Sequence, residues 1–158
     1  MADQIKKDIA WLKMCQAGAS IMVRCSKAQY FSYIIDSDGR VRGCGYNGTP
    51  AGMTNCVNGG CPRAVNNVPS GTDYNSGPGL CYAIHAEANA IIGLDRKILQ
   101  DSTLYVNGIC CFGCAKEIAG SGIRRVVGLD SETKPVDFHS TLGLFETVNI
   151  EWHLADQF

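Results

Sequence analysis

Apolar residues recur at helical spacing near the N-terminus. Ile5, Ile9, Leu12 and the run from Met14 to Ala19 mark one face of a helix reaching about Cys15 or beyond. Residues 30–36 are dense in β-branched and aromatic side chains and read as a strand. Asp38-Gly39 supplies a turn and residues 41–46 resume, so the pair predicts a β-hairpin. Residues 47–80 lose this order: Gly, Asn, Pro and Ser dominate, and the stretch exceeds the usual connection length, which marks a loop kept for function or pinned by metal. Beyond it the pattern predicts a helix over 84–94, a strand over 103–106 and a helix over 111–119 closed by Gly120 or Gly122. A strand over 123–129, a helix over 138–148 and a last strand over 149–154 follow. Strands alternating with helices after a hairpin predict one layered α/β domain with a mixed sheet, without internal repeats.

Composition narrows the class. At 158 residues, 46% hydrophobic and 18% charged, the chain suits a single globular domain, 1–158, with its core over roughly 24–154. The net charge is −1 and no Lys/Arg run stands out, which argues against broad binding to nucleic acid. There is no apolar run of transmembrane length, and an N-terminus carrying Asp3, Lys6, Lys7 and Asp8 does not resemble a signal peptide, so a cytoplasmic protein is expected. Nine cysteines are many for that compartment, where structural disulfides are rare, and metal binding is their natural use.

The chemistry concentrates in His85-Ala86-Glu87 and Cys111-Phe112-Gly113-Cys114. His85, Cys111 and Cys114 supply three ligands, the number a catalytic zinc needs if its fourth position is to stay open for water. His-x-Glu is too short for both side chains to hold one metal, so Glu87 reads as a proton carrier beside it. A satisfied core histidine with buried thiols, a closed structural zinc and a redox pair are the alternatives, and none of them uses Glu87. Both segments open predicted helices, where free N–H groups favour thiolate. Two thiolates weaken the zinc as a Lewis acid, so a neighbouring carboxylate is needed to take the proton of bound water. The hydroxide so formed would attack the amidine-like carbon of an aminated ring, exchanging water for ammonia with no organic cofactor.

His85-Ala86-Glu87-Ala88-Asn89-Ala90-Ile91 and Cys111-x-x-Cys114-Ala115-Lys116 resemble the cytidine/deoxycytidylate deaminase superfamily. Ser121-Gly122-Ile123-Arg124-Arg125-Val126-Val127 is similar to the strand after its zinc helix, and Gly45-Tyr46-Asn47-Gly48-Thr49-Pro50-Ala51-Gly52 to a loop of the dCMP deaminase branch. The resemblance covers residues 24–127. It implies a three-layer α/β/α cytidine deaminase-like fold with a mixed five-stranded sheet, and hydrolysis of dCMP to dUMP and ammonia. It carries zinc ligation onto His85, Cys111 and Cys114, and proton shuttling onto Glu87. Asn47 would contact the sugar and the backbone at Ala86 the base, with Thr49 of the same loop also assigned to substrate. A homo-oligomer, hexamer favoured, dCTP and dTTP as effectors, a structural zinc in a subset of members, and a role in supplying dUMP are further implications. The chain departs from the pattern at Cys110, where Pro is usual before the first zinc Cys, at Asn107, where Thr is common, and at Gln29-Tyr30-Phe31-Ser32 in place of a smoother strand.

The remaining cysteines admit three readings, scattered buried thiols, disulfides among them, or a second, closed zinc site pinning the long loop. The last would use Cys56, Cys61 and Cys81 with Cys25 as fourth ligand, Cys15 or Cys44 being substitutes. His139 and His153 lack metal partners at motif spacing; Trp11 and Trp152 read as packing residues. Arg24 and Lys27 are the basic residues nearest a phosphate or effector region, or else a solvated pair. The competing functions are deamination of a 5-substituted dCMP, of a base in tRNA or single-stranded DNA, or of a free nucleoside, and a non-catalytic zinc module that binds nucleotides.

Overall fold

The structure, a computed structural model, describes residues 1–69 and 72–156; Ser70 and Gly71 of the long loop and the last two residues lie outside it. The N-terminal pattern forms α1 (Ala2–Ile21), longer than its apolar face alone predicts. The hairpin is β1 (Phe31–Ile35) and β2 (Val41–Tyr46), paired antiparallel with a register shift between Ile34 and Ile35. Within the long loop lie a 3-10 turn, Cys56–Asn58, the short helix α2 (Pro62–Val65) and a second 3-10 turn, Gly77–Gly79. Then come α3 (Ala86–Ile91), α4 (Arg96–Leu99), β3 (Thr103–Val106), α5 (Phe112–Ser121), β4 (Arg125–Leu129), α6 (Phe138–Thr147) and β5 (Glu151–Ala155).

The helix expected over 84–94 is shorter than its pattern. His85 is its extended N-cap, and the chain leaves the helix at Ile92 before Gly93, whose φ of +86° belongs to the left-handed region. Helix α4 is an addition: the Asp95 carboxylate accepts from the Lys97 amide at 2.7 Å and caps one turn.

The five strands form one sheet in the order β2-β1-β3-β4-β5. Strand β3 runs antiparallel to β1 and parallel to β4, and β4 parallel to β5, with α5 and α6 as the crossovers. Alternation along the strands feeds two cores. Ile34, Leu104, Val106 and Val126 pack with Ala90, Ala115, Ile118 and Phe145 of α3, α5 and α6. On the opposite face Ile35, Tyr105, Val127 and Leu129 pack with Leu12 and Cys15 of α1. The expected three-layer α/β/α arrangement is therefore present. Trp11 joins Tyr33 and Tyr105 on the α1 side, and Trp152 lies 4.7 Å from Phe145 on the other, so both tryptophans pack.

The α1 face carries one polar tie. Asp8 accepts from Arg125 Nη2 at 2.7 Å, from Arg125 Nη1 at 3.0 Å, from the Tyr105 hydroxyl at 2.8 Å and from Gln4 at 2.9 Å. Burial works against the Asp8 carboxylate, but the bonds from Arg125, Tyr105 and Gln4 prevail and hold it below its ordinary range. A depressed folded-state value means stability that is present above the unfolded carboxyl value of about 4 and is lost as pH falls through the lower folded value. Arg125→Ala, which leaves Asp8 without its cation, is expected to cost about 3 kcal/mol at pH 7. Asp8→Asn should flatten the acid limb of stability against pH in denaturant titrations; an unchanged limb would remove Asp8 from that role.

Candidate active site

Two helix starts meet at one point. His85 stands at the N-cap of α3 and Cys111 at the N-cap of α5, both in extended backbone that turns their side chains across the helix mouth. His85 Nδ1 lies 3.3 Å from Cys114 Sγ and 3.5 Å from Cys111 Sγ, and the three ligand atoms all fall within 4.8 Å of one another. A tetrahedral zinc with its usual bond lengths separates nitrogen and sulfur ligands by about 3.5 Å, so this donor set fits that ion. Cys114 is buried, Cys111 half-buried and His85 exposed, which leaves one side of the trio open to solvent.

Close approach of backbone puts α3 where it is. A Cβ on Gly45 of β2 would stand 2.4 Å from the Ala86 carbonyl oxygen and the Ala90 nitrogen, and one on Gly43 2.6 Å from the Ala90 carbonyl oxygen. Only glycine at these two positions lets the helix lie directly on the edge strand. Asn89 then donates to the Tyr46 carbonyl at 2.8 Å and fixes the helix along it.

The site is electrostatically coupled. The Cys111 sulfur accepts from the Cys114 amide at 3.5 Å. A hydrogen bond from the Cys114 thiol, then His85, brings Cys111 down to about 4, while that same bond and burial push Cys114 up. Hydrogen bonding to Cys111 lifts His85 to about 9. Glu87, 6% exposed in the first turn of α3, is pushed up by burial, and its carboxylate is hydrogen-bonded by Cys110, which is fully buried. A carboxyl so placed takes and gives a proton near neutrality more readily than an exposed one.

Other expected site residues are arranged differently. Asn47 accepts from the Tyr30 amide at 2.8 Å and donates to the Ala28 carbonyl at 2.9 Å, so most of its amide is spent on backbone. Asn107 mirrors it, accepting from the Phe31 amide at 2.6 Å and donating to the Gln29 carbonyl at 3.1 Å. The two asparagines clamp residues 28–31 from either side and bring Tyr30, packed on Gly108, near Glu87, whose charge adds to burial in raising the tyrosine hydroxyl. Sequence reading gave Tyr30 no role; its signal was the departure of Gln29-Tyr30-Phe31-Ser32 from the family pattern.

Thr49 lies on the wall of a cavity of about 610 Å³ with Arg24, Tyr46, Asn55, Ile84 and Asn89; His85, Glu87, Cys111 and Cys114 do not line it. The Arg24 guanidinium sits 5.9 Å from the Tyr46 ring centre, and Lys27 donates to the Val68 carbonyl at 3.3 Å. His139 stacks edge-on against Phe138, and His153 lies 3.8 Å from Glu151 on the surface.

Among the loop cysteines, Cys56 and Cys61 are buried with their thiols hydrogen-bonded to each other, and Cys25 and Cys81 are near enough for their charges to reach Cys56. Cys15 belongs instead to the core under α1, and Cys44 is exposed on β2, so neither joins them. Among the described residues, His85, Cys111 and Cys114 alone bring three ligand atoms within 4.8 Å.

The model of the cytidine and deoxycytidylate deaminase zinc-binding region matches residues 5–129, and the chain belongs to that family of deaminases. The deoxycytidylate deaminase of Mycobacterium phage D29 is 46% identical over 104 residues, covering 65% of this chain and 79% of that one. That of Saccharomyces cerevisiae is 37% identical over 121 residues, covering 76% of this chain but 36% of the yeast protein. The same fold occurs in the dCMP deaminase of cyanophage S-TIM5, solved in complex with dCMP and dUMP, with a TM-score of 0.69, 22% identity and coverage of 98% and 99% of the two chains.

Zinc can bind this trio only after His85 and Cys114 have shed the protons that values above 7 keep on them. Uptake at pH 7 is therefore expected to release about two protons and to tighten as pH rises toward 9. Calorimetry in buffers of different ionisation enthalpy counts them; uptake without proton release would contradict the ligand set.

Proposed function

We propose that this protein hydrolyses dCMP to dUMP and ammonia at the His85/Cys111/Cys114 centre. The observation that carries the reading is Glu87, a buried carboxyl two residues past a metal-ligand histidine, in a place where a binding or structural metal site has no use for it. Zinc held by His85, Cys111 and Cys114 would supply the Lewis acidity that lets water attack at neutral pH. Glu87 accepts a proton from the attacking water as its oxygen bonds to C4, and passes that proton to ring N3. It then carries the second proton from the new C4 hydroxyl to the amino nitrogen. The C4–N4 bond breaks and ammonia leaves. Both water protons are thus accounted for, one on N3 and one on ammonia. The Ala86 backbone faces the base, and Asn47 offers the sugar the amide hydrogen its clamp leaves over. A net charge of −1 disfavours a polynucleotide in the same site.

Assembly as a hexamer and control by dCTP and dTTP belong to this reading. The cavity of about 610 Å³ that holds Thr49, with Arg24 on its wall, is where we place the effector, its volume being that of a ligand pocket. A cytoplasmic setting suits it as well, because a reducing compartment keeps the thiolate ligands free. Among the described residues no helix is long and apolar enough to cross a membrane.

We also assign a second zinc to Cys25, Cys56, Cys61 and Cys81. Three features support it: the contact of the Cys56 and Cys61 thiols, the Lys27 amide 3.4 Å from Cys25 Sγ, and Arg63, which holds the loop ahead of Cys81. The buried Arg63 guanidinium donates to the carbonyls of Thr72, Asp73 and Gly79 and stacks 4.3 Å from the Tyr74 ring. Binding would draw the four sulfurs together and order the loop.

Purified enzyme is expected to release ammonia and form dUMP from dCMP in preference to CMP, deoxycytidine and 5-methyl-dCMP, with dCTP raising the rate and light scattering giving a hexamer. Glu87→Gln should lower kcat by at least about 100-fold. A Glu87→Gln enzyme as fast as wild type would sink the mechanism, and silence on all four substrates the function. Metal analysis should find two zinc ions per chain, falling to one in Cys56→Ser/Cys61→Ser; a single zinc in the wild type would refute the second site.

A further inference from the structure

Asp137 belongs to the connection between β4 and α6, beyond the 5–129 stretch that matches the family model. It is the N-cap of α6 yet makes no side-chain cap to its own helix. Its Oδ2 accepts instead from the Phe112 amide at 2.8 Å, across 25 residues. Phe112 is the first residue of α5, placed between the metal ligands Cys111 and Cys114. A first-turn amide has no partner within its own helix. Here the one at Phe112 goes to Asp137, while the Cys114 amide goes to the Cys111 sulfur at 3.5 Å. Two acceptors therefore define the backbone path of the Cys111–Cys114 turn, the Cys111 sulfur within it and Asp137 from the head of α6. The side-chain packing of α5 on α6, with Ile118 and Phe145 in one core, gives that acceptor a rigid base.

We propose that Asp137 is a positioning residue for the metal centre: its bond to the Phe112 amide holds the first turn of α5 so that both sulfurs stay directed at His85. The inference rests on the metal reading given above and deepens it. The chain has Cys110 where Pro is usual before the first zinc Cys, and Asp137 tethers the turn through its first helical amide. The role asks for an acceptor atom at this point, not for a charge. Asn supplies one and Ala does not. It asks equally for the Phe112 N–H, which proline lacks. Cys111, with φ −76° and ψ 166°, already has the backbone that precedes a proline comfortably.

The test uses full-length protein loaded with cobalt(II), whose absorption bands report tetrahedral thiolate ligation, the bands of this centre being those lost in His85→Ala. A chelator competition gives metal affinity alongside. Asp137→Ala is expected to weaken the centre by about 10- to 100-fold and to shift its bands. Asp137→Asn should stay within about threefold of wild type by the same measure. In a Phe112→Pro background Asp137→Ala should cost nothing further, since the donor is gone. Wild-type affinity and bands in Asp137→Ala would overturn the proposal, as would an Asn variant as weak as the Ala variant, or a full Ala penalty in the Pro background. If Asp137→Ala does not fold, the Asn variant and the Phe112→Pro pair still decide. Absence of any His85-dependent band in the wild type would overturn the metal reading itself, and this one with it.

Discussion

The site depends on two helix mouths meeting at the ends of the strands. A helix start exposes amides without partners and a partial positive charge, and both α3 and α5 present theirs to the same small volume. At the α5 mouth the hydrogen bond from Cys114, then His85, allows a thiolate at Cys111, and the bond to Cys111 in turn lifts the His85 imidazole. Two sulfurs and an imidazole at 3.3 to 3.5 Å are held by a shared proton, a charge pair or a cation. Glycine at 43 and 45 sets how near α3 comes, and the α5 crossover between parallel β3 and β4 sets the rest.

The two faces of the sheet divide the work. Under α1 the polar groups are fully matched, with Asp8, Tyr105 and Arg125 closing on one another around aliphatic and aromatic packing. On the other face the polar groups are poised: a buried carboxyl at Glu87, a fully buried Cys110 beside it, and thiols of unequal acidity at Cys111 and Cys114. Matched polar networks stabilise a fold, and perturbed ones in an open site are where proton transfer is arranged.

Local spacing made the chemistry legible in the sequence. His85 with Glu87, and Cys111 with Cys114, are neighbours along the chain, and the helix starts that aim them leave their own signature. The strands were legible as short runs between turn signals, and once they pair, alternation puts Leu104 and Val106 in one core and Tyr105 in the other. What escaped were contacts between side chains and distant backbone. The Asn47 and Asn107 clamps and the Asp137 tether span 17, 76 and 25 residues, and a single polar residue in a loop carries no periodic signal of its partner. The end of α3 was misjudged for a related reason: apolar Ile92 and Leu94 continue the helical pattern, but the backbone at Gly93 does not.

The most direct measurement is anomalous diffraction at the zinc edge from crystals of the Glu87→Gln protein soaked with dCMP. The account predicts a zinc peak bonded to His85 Nδ1 and the sulfurs of Cys111 and Cys114, with C4 of the pyrimidine facing it beside residue 87. A nucleotide bound with no zinc at that trio, or a base held away from it with C4 out of reach, would contradict the account.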